Sequence, residues 1–150
     1  MMNACNQYIV KYEHSKWLVL SSLFFLIPSI YAYVNNLYYF SILSLFTSLI
    51  SANYWRNPIH SWRRNMDLVF SKLSFIIYLP NGIIYVSYTP YLITGYLGLI
   101  ILLYSFYLSG KLYKLQNNNW YKYHMLFHFM VMYEQLIVLR SINSPNLYIL

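Results

Sequence analysis

Between Lys16 and Arg56 the chain carries no charged side chain. Two apolar runs, Trp17–Val34 and Leu37–Tyr54, fill that interval, and only Asn35-Asn36 separates them. A helix needs about 20 mostly apolar residues to cross a hydrocarbon core ~30 Å thick. Two such runs joined by a short polar turn predict a helical hairpin in a bilayer. The rest of the composition agrees: 59% of residues are hydrophobic and only 9% are charged, against about 25% charged in soluble domains. That excludes a soluble enzyme, a disordered chain and a disulfide scaffold. Ten Lys and Arg against three acids give a net charge of +7. A nucleic-acid binder could be this basic but not this apolar, so no nucleic-acid partner is expected.

Cys5 is the single cysteine, which precludes an intrachain disulfide. A thiol beside a membrane can be acylated, but an inert N-terminal thiol is the simpler reading. No small-x-small cleavage site follows the first apolar run, so that run reads as a retained span.

Beyond Tyr54 the chemistry changes. Residues 55–65, Trp-Arg-Asn-Pro-Ile-His-Ser-Trp-Arg-Arg-Asn, combine Arg and Trp as a membrane–water boundary does. A third apolar stretch runs from Met66 to Val86 and is interrupted by Pro80-Asn81-Gly82. Either it is one kinked helix, or it ends at Leu79 and a long fourth helix starts at Ile83. A fourth run covers Tyr91–Ser109, with Gly95 and Gly98 open to close approach by another helix. A polar loop follows, and Trp120–Leu139 is the fifth run. The expectation is an all-α membrane bundle of about five transmembrane helices in a single domain, with spans at 17–34, 37–54, 66–86, 91–109 and 120–139. Pro28 is the expected kink in the first. Helix packing should draw on Ser, Thr, Tyr and Ala, because lipid removes the hydrophobic drive between helices.

Loop charge orients this bundle. Lys11 and Lys16, the three Arg of the 55–65 loop, and Lys111, Lys114 and Lys122 fall on one side. The 35–36 and 87–90 turns carry no charge, and the tail carries only Arg140. The positive-inside rule places the N-terminus in the cytosol and the C-terminus outside or in a lumen. The basic face would attract anionic lipid headgroups, at about 1 kcal/mol per Lys or Arg.

Polar residues within apolar helices are costly, so they mark candidate sites. His124 and His128 are four apart, on one helical face, with a spacing that lets two imidazoles reach one metal ion. The bland alternative is a pair of interfacial imidazoles bonded to Tyr or backbone. Asp67 heads the third span, His60 lies in the loop before it, and Ser51 lies in the last turns of the second. Each has a structural explanation as well. Asp67 suits a helix N-terminus beside Arg63 and Arg64, and Ser51 can bond the carbonyl one turn back. Lys72 can snorkel to the boundary. Glu134 lies too deep to join the group, and is expected to be protonated or bonded to a Tyr.

The pattern resembles the alkaline ceramidase and adiponectin-receptor superfamily of seven-span membrane hydrolases. That family has Ser-x3-His near the end of span two, Asp at the start of span three and His-x3-His at the start of the last span. His124-Met-Leu-Phe-His128 matches the last element and Asp67 the second. Ser51-Ala-Asn-Tyr-Trp55 keeps the Ser but has Trp55 in place of the His, and two spans are missing. The resemblance implies zinc on His124, His128 and His60, with Asp67 and Ser51 positioning or activating a water that attacks a lipid amide. Without it, no cofactor is expected. There is no HExxH, P-loop, GxSxG or CxxC sequence. Two functions follow from this reading. One is a multi-pass membrane protein without a demonstrable catalytic site, structural, assembly-related or lipid-interacting. The other is a divergent zinc-dependent lipid amide hydrolase.

Overall fold

The computed structural model describes residues 10–143. Cys5 and the tail beyond Asn143, with Pro145, lie outside them. The described residues form helices: α1 (Tyr12–Ser22), a 3₁₀ turn (Leu23–Phe25), α2 (Leu26–Val34), α3 (Tyr38–Arg56), α4 (Trp62–Tyr85), α5 (Thr89–Lys114) and α6 (Trp120–Asn143). α1 and α2 make one 23-residue span. This span, α4, α5 and α6 are each long and apolar enough to cross a membrane, which is the architecture of an integral membrane protein. α3 has 19 residues and is less apolar because of its serines, yet it lies antiparallel along both α1 and α2 and so covers the same depth.

The break in the first span sits one turn before the proline that causes it. Pro28 has no N–H to offer the Phe24 carbonyl, and its ring crowds that carbonyl. The helix tightens to 3₁₀ geometry at Leu23–Phe25. At the other end, Asn36 takes a left-handed φ of 60°. There, Leu37 N–H donates to the Ala32 carbonyl at 2.8 Å and Asn36 N–H to the Tyr33 carbonyl at 3.1 Å. This is a Schellman C-cap, which Asn tolerates better than most residues. Gln116 closes α5 in the same way, at a φ of 54°.

α4 runs unbroken through Pro80, which decides for the first of the two readings of that segment. The Asn81 side chain donates to the Ile77 carbonyl at 2.7 Å, giving one carbonyl next to the proline a side-chain donor. α1, α4, α5 and α6 each extend past the apolar runs, beginning at Tyr12, Trp62 and Thr89 or ending at Lys114 and Asn143. Those added turns carry Glu13, Lys16, Arg63, Arg64, Lys111, Lys114 and Arg140. Hydropathy marks where lipid is met, whereas the backbone hydrogen-bond ladder continues into the headgroup layer.

α1–α2, α3, α4 and α6 form a ring in which each packs on its neighbours, and α5 packs on the outside of α6 alone. On α3, Ser41, Ser44, Ser48 and Ser51 recur at intervals of three and four, so they share one face. All four are buried, as are Ser15, Ser21, Ser22 and Ser29 on α1–α2. Small hydroxylated residues let backbones approach and supply cross-helix hydrogen bonds, as lipid-embedded packing requires. On α5, Gly98, Leu102, Ser105 and Ser109 are buried against α6. The hairpin topology brings Lys11, Lys16, Arg56, Arg63, Arg64, Lys111, Lys114 and Lys122 to one end. Of the ten Lys and Arg, only Lys72 and Arg140 lie elsewhere.

Candidate functional site

The polar residues of the interior lie along one seam that starts near the basic end. There, an aromatic cluster seals the bundle. Trp55 and Trp120 have ring centroids 6.2 Å apart, Tyr113 meets Trp120 edge-on at 5.2 Å, and His14 stacks on Tyr121 at 4.6 Å. Just inside this seal stand His124 and His128. They project from one face of α6, with ring centroids 4.8 Å apart.

Each imidazole is bonded through Nδ1 to a serine of a different helix. Ser21 Oγ lies 2.8 Å from His128 Nδ1, and Ser109 Oγ lies 3.2 Å from His124 Nδ1. Ser21 can also donate to the Leu18 carbonyl at 3.1 Å. When Ser21 gives its single proton to Leu18, His128 donates from Nδ1 and keeps the lone pair on Nε2; when Ser21 donates to Nδ1, the proton is on Nε2. The bland reading of the pair named Tyr or backbone as partners. The structure supplies serines instead, from α1 and α5.

Ser51 of α3 and Asp67 of α4 form a second group, which meets α1 through Ser22. The hydroxyls of Ser22 and Ser51 are 3.1 Å apart, Ser48 donates to the Ser22 carbonyl at 3.0 Å, and the Asp67 carboxyl is turned toward Ser51. Ser51 is thus engaged across helices. The adjacent pair Ser21-Ser22 faces both groups, one hydroxyl to the imidazoles and the other to Ser51.

The structure therefore brings His124 to His128 and Ser51 to Asp67. His60 stays exposed on the loop before α4. The place beside the imidazoles belongs to Trp55, edge-on to His124 at 5.1 Å. Its indole N–H is buried and has no hydrogen-bond partner. A zinc ion needs at least three protein donors within ~2.0–2.3 Å. Among the described residues no group of three His, Cys, Asp or Glu is placed to hold a metal ion. An indole cannot substitute as a ligand, so this donor set does not fit zinc and the geometry does not support a zinc hydrolase.

Deeper in the bundle the seam continues through Gln135, which is almost fully buried. Its Nε2 donates to Ser74 Oγ at 3.1 Å, and Ser44 Oγ donates to its Oε1 at 3.4 Å. Ser44 is also 2.9 Å from the Tyr78 hydroxyl. Since Ser44 has one proton, Tyr78 is the donor in that contact. Three helices are joined by this one amide. As a polar residue of the fifth apolar run, close to the stripe of His124 and His128, Gln135 is visible in the sequence; the three-and-four spacing of Ser in α3 and the Ser21-Ser22 pair in an uncharged run are the further signals that locate the seam.

Hollows lie elsewhere. A groove of about 470 Å³ at the far end is lined by Ile27, Tyr31, Tyr91, Leu136, Ile137 and Arg140, and a pocket of about 70 Å³ adjoins His14 at the basic end. No family model, curated protein or solved structure matches the chain.

Proposed function

We propose that this protein is a membrane-embedded scaffold, an assembly or structural component rather than a catalyst. One observation carries the reading. Along the seam, polar side chains are matched to one another across helices, His128 to Ser21, His124 to Ser109 and Gln135 to Ser44 and Ser74. Groups so used hold helices together. The outer faces of α4 and α5, rich in Ile, Leu, Phe and Tyr, are the surfaces left for lipid and for partner proteins. The basic end faces the cytosol in this reading, with N-terminus in and C-terminus out, and binds anionic headgroups.

Photo-crosslinking residues placed at Ile76 on α4 and Ile101 on α5, in native membranes, test the proposal. A scaffold gives discrete protein adducts from at least one of the two faces. Lipid adducts alone from both faces would overturn it.

A further inference from the structure

Two ionisable groups stand apart from the seam. Glu134 lies on α6, beside α5. Its carboxyl rests on Gly98, where an added Cβ would collide with Oε1, and its Oε2 is 3.6 Å from where a Cβ on Gly95 would be. The two glycines thus form a notch in α5, with the carboxyl at its base. Oε1 is buried and has no hydrogen-bond partner. Lys72 lies on α4 and is exposed. It comes two residues before Ser74, which places it about 200° round the helix, on the face turned away from the ring.

These groups share one depth. The Gln135–Ser74 hydrogen bond ties α6 to α4 at one level, and both helices start at the basic end. Lys72 is two residues before Ser74 and Glu134 one before Gln135, so their depths differ by only about 1.5 Å of helical rise. Lys72 is roughly 15 Å along α4 from Trp62 by helical rise, within a helix long and apolar enough to cross a membrane. Glu134 is roughly 21 Å along the helix from Trp120. A lysine can snorkel from such a depth, but the short carboxylate cannot.

We propose that two copies of this chain associate in the membrane by pairing Lys72 of each with Glu134 of the other. Intramembrane charges cost free energy and are characteristically paired. A symmetry axis along the membrane normal preserves depth, so reciprocal pairing between identical chains requires the acid and the base to lie at the same level, as they do. An interface between identical subunits is self-complementary, and one Lys with one Glu is the minimum set for that. α4 and α5 both pack on α6 and not on each other, and although Gly98 is buried in the α5–α6 contact, Gly95 and Glu134 are only half-buried, so the carboxyl is reached from the edge of that contact. The proposal deepens the scaffold reading, whose partner it names as a second copy.

Two differently tagged copies, co-expressed and reconstituted in lipid nanodiscs or mild detergent, test it. The wild-type copies co-purify. Lys72→Glu alone and Glu134→Lys alone each weaken self-association by roughly tenfold, the scale of interhelical polar contacts in bilayers. Mixed with each other, the two variants recover it, because each interface then holds one Glu–Lys pair from either direction. A bond within one chain would give no such recovery. Failure of the mixture to recover, or a monomeric wild type, overturns the pairing. If the Ile76 or Ile101 crosslinker still captures a different protein, the scaffold reading stands without self-pairing. If the wild type is monomeric and only lipid is captured, both fail.

Discussion

Trp55 stands edge-on to His124, with ring centroids 5.1 Å apart and the planes inclined at 68°. An indole therefore occupies the position from which a third donor could face the imidazole pair. It also helps seal the basic end with Trp120 and Tyr54, the latter at 4.6 Å. Replacing it changes both the chemistry and the packing of this corner.

Trp55→His should create a metal site. Three imidazoles would then face one point, and zinc is held tetrahedrally by such sets. The purified variant is expected to retain about one zinc per chain after dialysis against the free ion, and the parent far less. Metal analysis in mild detergent reads this directly. Stoichiometric zinc in the parent, lost on His128→Ala, would restore the hydrolase reading.

Gln135 joins α3, α4 and α6, so Gln135→Leu should loosen three helices at once. The substitution strands Ser44 and Ser74 without their amide partner. Interhelical hydrogen bonds in membranes contribute about 0.6–2 kcal/mol each, so a loss of roughly 1–3 kcal/mol is expected. Ser21→Ala removes one bond, to His128, and should cost about 1 kcal/mol or less. Unfolding in mixed micelles gives both values, and equal effects would contradict the geometry.

Gly98→Val should push α5 off α6, because its side chain would overlap the Glu134 carboxyl. Overpacking of this kind costs about 1–3 kcal/mol. Adding Glu134→Ala to the same chain should return most of that loss. A double-mutant cycle on the monomer in detergent measures the coupling, and additive effects would mean that the two residues are not in contact.

Reporters fused after Asn36 or Ser87 should read as external, and those after Asn65 or Asn118 as cytosolic. This follows from the loop charges and the positive-inside rule. Cysteines placed at Ile83, Ile84 or Tyr85 should resist aqueous thiol reagents, since α4 is continuous through Pro80 and these exposed side chains face lipid. Labelling there, or the 55–65 and 110–119 loops on opposite sides, would break the five-helix topology.

The order of the helices, their turns and the clustering of basic residues at one end were legible in the sequence, because each depends on local properties. A run without charge must avoid water, Asn-Asn closes a left-handed turn, and alternating hairpins bring alternate loops to one side. The spacing of His124 and His128 likewise fixed their common face before any packing was known. Only the tertiary structure decided which residues meet that face. Ser21 lies 107 positions from His128 and Ser44 lies 91 from Gln135, and nothing local encodes those distances. Trp55 and His60 are both near the end of the second span in sequence. The helix carries Trp55 inward to the imidazoles, whereas His60, past Pro58 and outside the helical ladder, is released to the surface. Span boundaries differed for a related reason: apolarity records contact with lipid, and helices end where their backbone hydrogen bonds end.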